Sequence, residues 1–266
     1  MKILNQAQSQ KITSQNSNLH KMDKKHNERL SSGKKINKAS DDAAGLAIAE
    51  KMNALIQGIG KGINNTYDMQ NALKTADGAL GNISDSLQRV RDLSLQASSP
   101  ILSNSDKEII QEEINQTLAG INDMSSQSQF NGQNLLDGSF ADKNVAMNSD
   151  GSGTKISIGE VSTGSLGLEN FSVMGKSIDI GAIDKAINSI SSARVKIGAQ
   201  INRFDHAIGS NSQTALNMVS SKSKIEDADM VKESIHRQTN KALSQYGVFA
   251  QKNEAQTKYN MLNILF

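Results

Sequence analysis

The side chains that could do acid–base or metal chemistry are few and scattered. There are four histidines, His20, His26, His206 and His236. None falls in a His-Glu-x-x-His pattern, and no pair has metal-ligand spacing with a carboxylate on a shared face. His206 falls between the apolar residues Phe204 and Ile208, which predicts a solvated helix face. Asp41 and Asp42 are adjacent, but neighbouring helical residues point about 100° apart, and helix capping accounts for both better than a catalytic pair. Gly58, Gly60 and Gly62 alternate without the strand that precedes a dinucleotide-binding turn, so they predict close approach of another helix. With no cysteine there is no thiolate and no disulfide. No nucleophile elbow and no phosphate-loop lysine motif is present. The chain reads as a non-enzyme, with no catalytic residue, metal site or cofactor.

The elements around these residues carry a stronger pattern. Between Ser40 and Ala97, apolar or small residues recur at Met52, Ile56, Ile59, Ile63, Thr66, Met69, Leu73, Ala76, Leu80, Ile83, Leu87 and Val90. Steps of three and four make a seam with a period near 3.5, the mark of a long helix packed along other long helices. Ser40, Asp41 and Asp42 supply capping oxygens and first-turn negative charge. A helix over about 41–98 would span roughly 85 Å. Ser98-Ser99-Pro100 ends it. Ser105-Asp106-Lys107-Glu108 fits a capping box for a second helix, about 105–128, carrying Ile110, Ile114, Leu118 and Ile121.

The pattern changes at Phe130. Asn131-Gly132, Asp137-Gly138 and Asp150-Gly151 are turn dipeptides, and Lys155-Ile156-Ser157-Ile158-Gly159 alternates as a short strand does. Residues 130–180 are therefore the β-hairpin region. From Ala182 the heptad returns at Ile183, Ile187, Ile190, Arg194, Ile197, Ile201, Phe204, Ile208, Asn211, Ala215 and Met218, giving a rod over about 182–222. A break at residues 223–229 precedes a last helix, about 227–264, with an apolar end that needs cover from another subunit. Residues 1–32 carry only Ile12, Leu19 and Met22 as an apolar stripe, too thin to hold a helix alone, so helix is expected there only on association.

The fold class is mainly α: an elongated antiparallel helical bundle or coiled coil, with a small β-hairpin region and paired N- and C-terminal helices. Composition agrees. Aromatics are 3%, there is one proline and no tryptophan, as suits helical rods with narrow seams. Net charge is +2, although residues 1–38 hold nine Lys/Arg against Asp23 and Glu28. That basic arm lacks aromatics and a glycine-rich loop, so nucleic acid is not expected as a partner. No apolar run is long enough for membrane insertion, and Met1-Lys2-Ile3-Leu4-Asn5-Gln6 lacks a secretory h-region.

Four blocks of residues resemble bacterial flagellin, in the family's order. They are Arg29-Leu30-Ser31-Ser32-Gly33 with Ile36-Asn37 and Asp41-Asp42-Ala43-Ala44-Gly45-Leu46-Ala47-Ile48-Ala49; Leu87-Gln88-Arg89-Val90-Arg91-Asp92-Leu93-Ser94-Leu95-Gln96-Ala97; Gln129-Phe130-Asn131-Gly132; and Ile225-Glu226-Asp227-Ala228-Asp229. The resemblance implies a secreted, self-assembling subunit of the extracellular flagellar filament. It implies terminal helices, 1–40 and 223–266, in the inner filament core, and a rod domain, 41–222, around them. Outer variable domains are not expected. The apolar positions Ile12, Leu19, Phe249, Leu262, Leu265 and Phe266 are the expected assembly contacts.

The same resemblance implies partners: other copies of the chain, the flagellar cap and hook-junction proteins, and a cytoplasmic export chaperone at the C-terminal region. It also implies toll-like receptor 5, with the family's contact positions falling on Arg89, Leu93 and Glu113. Those residues equally suit packing between protofilaments. A flagellin-like hook–filament junction protein is the alternative. A zinc protease in the middle region is excluded, because residues 130–180 contain no histidine. Two departures from the family are the polar, basic N-terminus and the Leu265-Phe266 end.

Overall fold

A computed structural model describes residues 2–175 and 178–265. Its elements in chain order are α1 (Lys2–Ser32), α2 (Ala43–Ala97), α3 (Asn104–Gln127), β1 (Gln129–Phe130), β2 (Gln133–Asn134), β3 (Lys143–Ala146), β4 (Gly153–Ile156), α4 (Ile180–Glu226) and α5 (Met230–Leu265). The strands form two separate antiparallel pairs, β1 with β2 and β3 with β4. The chain divides into two compact units, residues 55–216 and residues 1–54 with 217–266.

In the unit of residues 55–216, the seam of α2 is the core. Leu73, Leu80, Ile83, Leu87 and Val90 are buried together with Ile114 and Ile121 of α3 and Ile183, Ile190 and Phe204 of α4. Here α2 and α4 run antiparallel, as the pairs Gln70–Asp205 (2.6 Å) and Arg91–Asp184 (2.8 Å) require. Leu135, Leu136 and Leu168 close the core from the hairpin region. Thr66, the polar position in the seam, is also buried, and its hydroxyl donates to the Gly62 carbonyl at 2.7 Å. Its polar atom is thus satisfied within its own helix.

Three local readings are corrected in this unit. The capping box of α3 uses Ser103, not Ser105: Ser103 Oγ accepts from the Asp106 amide (3.2 Å), and Asp106 Oδ2 accepts from the Ser103 amide (3.0 Å). The β4 strand is Gly153–Ile156, two residues earlier than the alternation indicated, and Ile158 beyond it donates to the Phe140 carbonyl (2.8 Å). The glycines of α2 admit a β-turn rather than a helix. A Cβ on Gly58 would meet Ser149, one on Gly62 would overlap the Met147 carbonyl, and Gly60 faces open space.

In the unit of residues 1–54 and 217–266, two breaks interrupt the helices and bind one another. Gly33 ends α1 with φ +73°, its amide donating to the Arg29 carbonyl at 2.9 Å. Lys34 and Asp227 then form a one-residue antiparallel bridge, flanked by Lys35 N–Glu226 O (2.7 Å) and Ala228 N–Gly33 O (2.9 Å). Glu226, 6% exposed, is paired with Lys34 and with Lys222. Because Glu226 is tied down here, α4 runs four residues past the expected stop at 222. The two aspartates divide the capping work. Asp42 Oδ1 accepts from the Gly45 amide (2.9 Å) and caps α2, whereas Asp41 Oδ2 holds the Asn37 and Lys38 amides of the linker (3.2 and 3.3 Å). Lys25 pairs with Asp41 at 2.9 Å.

Candidate functional site on the terminal helices

The first helix is formed along its length in the single chain, contrary to the expectation of helix only on association. Its partner is α5, and the seam between them explains how so thin an apolar stripe suffices. On α1 the partly buried positions Ile12, Asn16, Leu19, Asp23, His26 and Leu30 alternate steps of four and three, and Arg29 beside them is partly buried too, so that polar residues outnumber apolar ones in the seam. On α5 the buried positions are Glu233 and Asn240, followed by partly buried Ser244, Gly247 and Ala250.

Polar pairs fix the antiparallel register. Ser244 Oγ donates to Asn16 Oδ1 (2.6 Å), Gln251 Nε2 to Thr13 Oγ1 (2.8 Å) and Arg237 Nη1 to Asn27 Oδ1 (3.1 Å). Near the start of α5, Glu233 takes Arg29 Nη1 on Oε1 (3.0 Å) and His26 Nδ1 on Oε2. Burial works to raise the Glu233 carboxyl, but the hydrogen bonds and charges of His26 and Arg29 outweigh it and hold the group below its ordinary range.

With polar residues inside the seam, much apolar surface of α5 faces out. Val231, Ile235, Leu243, Tyr246, Val248 and Phe249 are all exposed, Tyr246 at 72% and Phe249 at 61%. Ile12, Leu19, Met22, Leu243 and Tyr246 line an open groove of about 560 Å³ along the pair. Ile12, Leu19 and Phe249, three of the expected assembly contacts, thus lie on or beside the open surface of this helix pair. The side chains of Leu262 and Leu265, and the whole of Phe266, lie outside the described residues.

In the other unit, Arg89 and Glu113 form a two-pronged pair, with Nε at 3.1 Å and Nη2 at 2.5 Å from Glu113 Oε1, and both side chains are about half exposed. Leu93 is different. It is 2% exposed and belongs to the core of the same unit.

Among the described residues no three His, Cys, Asp or Glu side chains are grouped to hold a metal. His206 is exposed, as its spacing predicted, while His26 and His236 stack with ring centroids 5.6 Å apart. Apolar periodicity alone does not reveal the polar seam. The signal was present: Asn16, Asp23 and His26 continue the steps set by Ile12, Leu19 and Leu30. Among the described residues no helix is long and apolar enough to cross a membrane.

Residues 3–141 match the bacterial flagellin N-terminal helical region, and residues 180–265 match the bacterial flagellin C-terminal helical region. The chain is 35% identical over 256 residues to "Flagellin FlaB2" of Treponema pallidum, covering 87% of this chain and 88% of the relative. It is 35% identical over 281 residues to "Flagellin" of Bacillus subtilis, covering 91% and 92%. A putative flagellar hook-associated protein from Vibrio parahaemolyticus shares the fold, with a TM-score of 0.56 at 17% identity over 70% of this chain and the whole of that one. Two family regions in their natural order and relatives matched over most of their length carry the conclusion that this chain belongs to the bacterial flagellins.

Proposed function

We propose that the outward apolar faces of α1 and α5 are the surface on which neighbouring copies stack to extend the filament. As a flagellin the chain is a structural subunit of the flagellar filament. The observation that supports the placement is the run of exposed apolar side chains on α5, from Val231 to Phe249, on a helix already paired with α1 through polar contacts. Such a face is costly in water and is satisfied when a like face covers it. On this reading residues 1–40 and 223–266 form the inner core of an extracellular filament, and residues 41–222 form the wall around it. The cap and hook-junction proteins meet the subunit at the filament ends. An export chaperone shields the same α5 surface before assembly. Removing residues 257–266 tests the placement: the truncated chain stays a soluble monomer when mixed with filament seeds, and normal elongation would refute it.

A second reading concerns toll-like receptor 5. The exposed Arg89–Glu113 pair offers a charged contact face on α2 and α3, and Leu93, one turn along α2 from Arg89, is buried. In this role Arg89 and Glu113 touch the receptor, and Leu93 holds the backbone that presents Arg89.

A further inference from the structure

We infer that the outward face of α5 binds negatively charged phospholipid surfaces while the subunit is unassembled. The inference goes beyond the filament reading and does not depend on it.

Charge is divided unevenly between the two units of the chain. Residues 1–54 and 217–266 hold seventeen Lys and Arg against ten Asp and Glu, a net +7. Residues 55–216 hold twelve against seventeen, a net −5. The +2 of the whole chain conceals this division. The basic unit also carries the long apolar face. At about 100° per residue, Val231, Ile235, Ala242, Tyr246 and Phe249 fall within about 60° of one another around α5, on a strip about 27 Å long. All of them are exposed. Glu233, whose partners His26 and Arg29 belong to α1, marks the opposite side of the helix. Exposed lysines border the strip, Lys232 along one edge and Lys241 and Lys252 along the other. Neither carboxylate of α5 interrupts it: Glu233 is turned to α1, and Glu254 is partly buried.

An apolar strip with cationic borders fits the boundary between the acyl chains and the headgroups of a bilayer. Tyr246 and Phe249 enter the apolar layer, and the lysine stems reach along it to bring their ammonium groups to the phosphates. A soluble polyanion would meet the lysines and leave the strip in water. A second copy would cover the strip but set like charges against each other. An anionic lipid surface satisfies the strip and the lysines together, and the +7 of the unit draws it in.

The chain contains no tryptophan, so Phe249→Trp reports on the strip without background. The full chain carrying it, shown monomeric by light scattering, is mixed with vesicles of phosphatidylcholine alone or with about one third phosphatidylglycerol. A blue shift of emission is expected with the anionic vesicles and not with the neutral ones, and added salt should reverse it. Combining Lys232→Gln, Lys241→Gln and Lys252→Gln should weaken binding about fivefold per lysine. Ile235→Gln with Tyr246→Gln should abolish the shift, with helix content by circular dichroism as the folding control. Equal binding to the two kinds of vesicle, or binding that survives either set of changes at full strength, would overturn the inference. So would tighter binding to a single-stranded RNA homopolymer than to the anionic vesicles, which would make the face a nucleic-acid surface. A blue shift that follows protein concentration without vesicles would assign the strip to a second copy and overturn it too.

Discussion

Gly62 of α2 lies directly beneath the backbone carbonyl of Met147, so close that a Cβ at position 62 would overlap the oxygen. The turn between β3 and β4 is therefore seated on the helix backbone itself. Asn65 and Asn211 hold it from two sides, donating to the Ala146 carbonyl (3.1 Å) and the Met147 carbonyl (2.9 Å).

Gly62→Ala should destabilise the protein by about 1–3 kcal/mol, because the obstructing atom is backbone and cannot rotate away. Gly60→Ala, two residues along the same helix but facing open space, should stabilise it by about 0.5–1 kcal/mol through helix propensity. Thermal unfolding of the two variants separates these effects, and a like sign for both would show that the hairpin moves freely on α2.

The contrast between these glycines also marks how far the sequence could be read. The long helices were legible because a seam near 3.5 residues in period has no other use in water, and the seam positions of α2 from Leu73 to Val90 are buried as the period demands. The hairpins were legible as turns, since Asn131-Gly132 adopts two positive φ angles, 49° and 74°. What lay under Gly62 was hidden, because an alternating glycine run tells that something approaches and not what. The α1–α5 seam was hidden for a different reason. Its specificity lies in pairs such as Asn16–Ser244, some 228 residues apart, which no local period encodes.

Ile197 is 6% exposed on α4 and belongs to the same core as Leu73 and Phe204. Ile197→Ala removes three buried carbons from a helix face that its neighbours cannot follow inward. A loss of about 2–5 kcal/mol of stability is expected by denaturant titration. An unchanged midpoint would place Ile197 in solvent.

Asp41 gives the linker between α1 and α2 an acid limit. The Lys25 ammonium, followed by the Asn37 and Lys38 amides, lowers its carboxyl from the usual 3.8 to about 2. A folded value below the unfolded one means that Asp41 stabilises the linker fully above about pH 4, and that this contribution fades as the pH falls towards about 2. Asp41→Asn should therefore weaken protection of residues 33–42 at neutral pH and flatten its acid dependence in that window. Exchange measured from about pH 5 downward checks this, and an acid limb as steep as that of the natural sequence would mean that other carboxylates set it.

Arg89 and Glu113 pose the opposite case, a pair whose loss should be felt by a partner and not by the fold. Their side chains are 59% and 46% exposed, and an ion pair in that setting is worth about 0–1 kcal/mol. Arg89→Ala and Glu113→Ala should leave thermal unfolding nearly unchanged and lower the response of cells reporting toll-like receptor 5 to the purified monomer. Leu93→Ala should do both: it removes a side chain 2% exposed, costing about 2–5 kcal/mol, and it unsettles the helix surface carrying Arg89. The order of effects discriminates the roles. If Leu93→Ala lowered the response without lowering stability, Leu93 would be a direct contact. If neither charged variant lowered the response, the receptor reading of this face would fail, and the pair would remain a brace between α2 and α3.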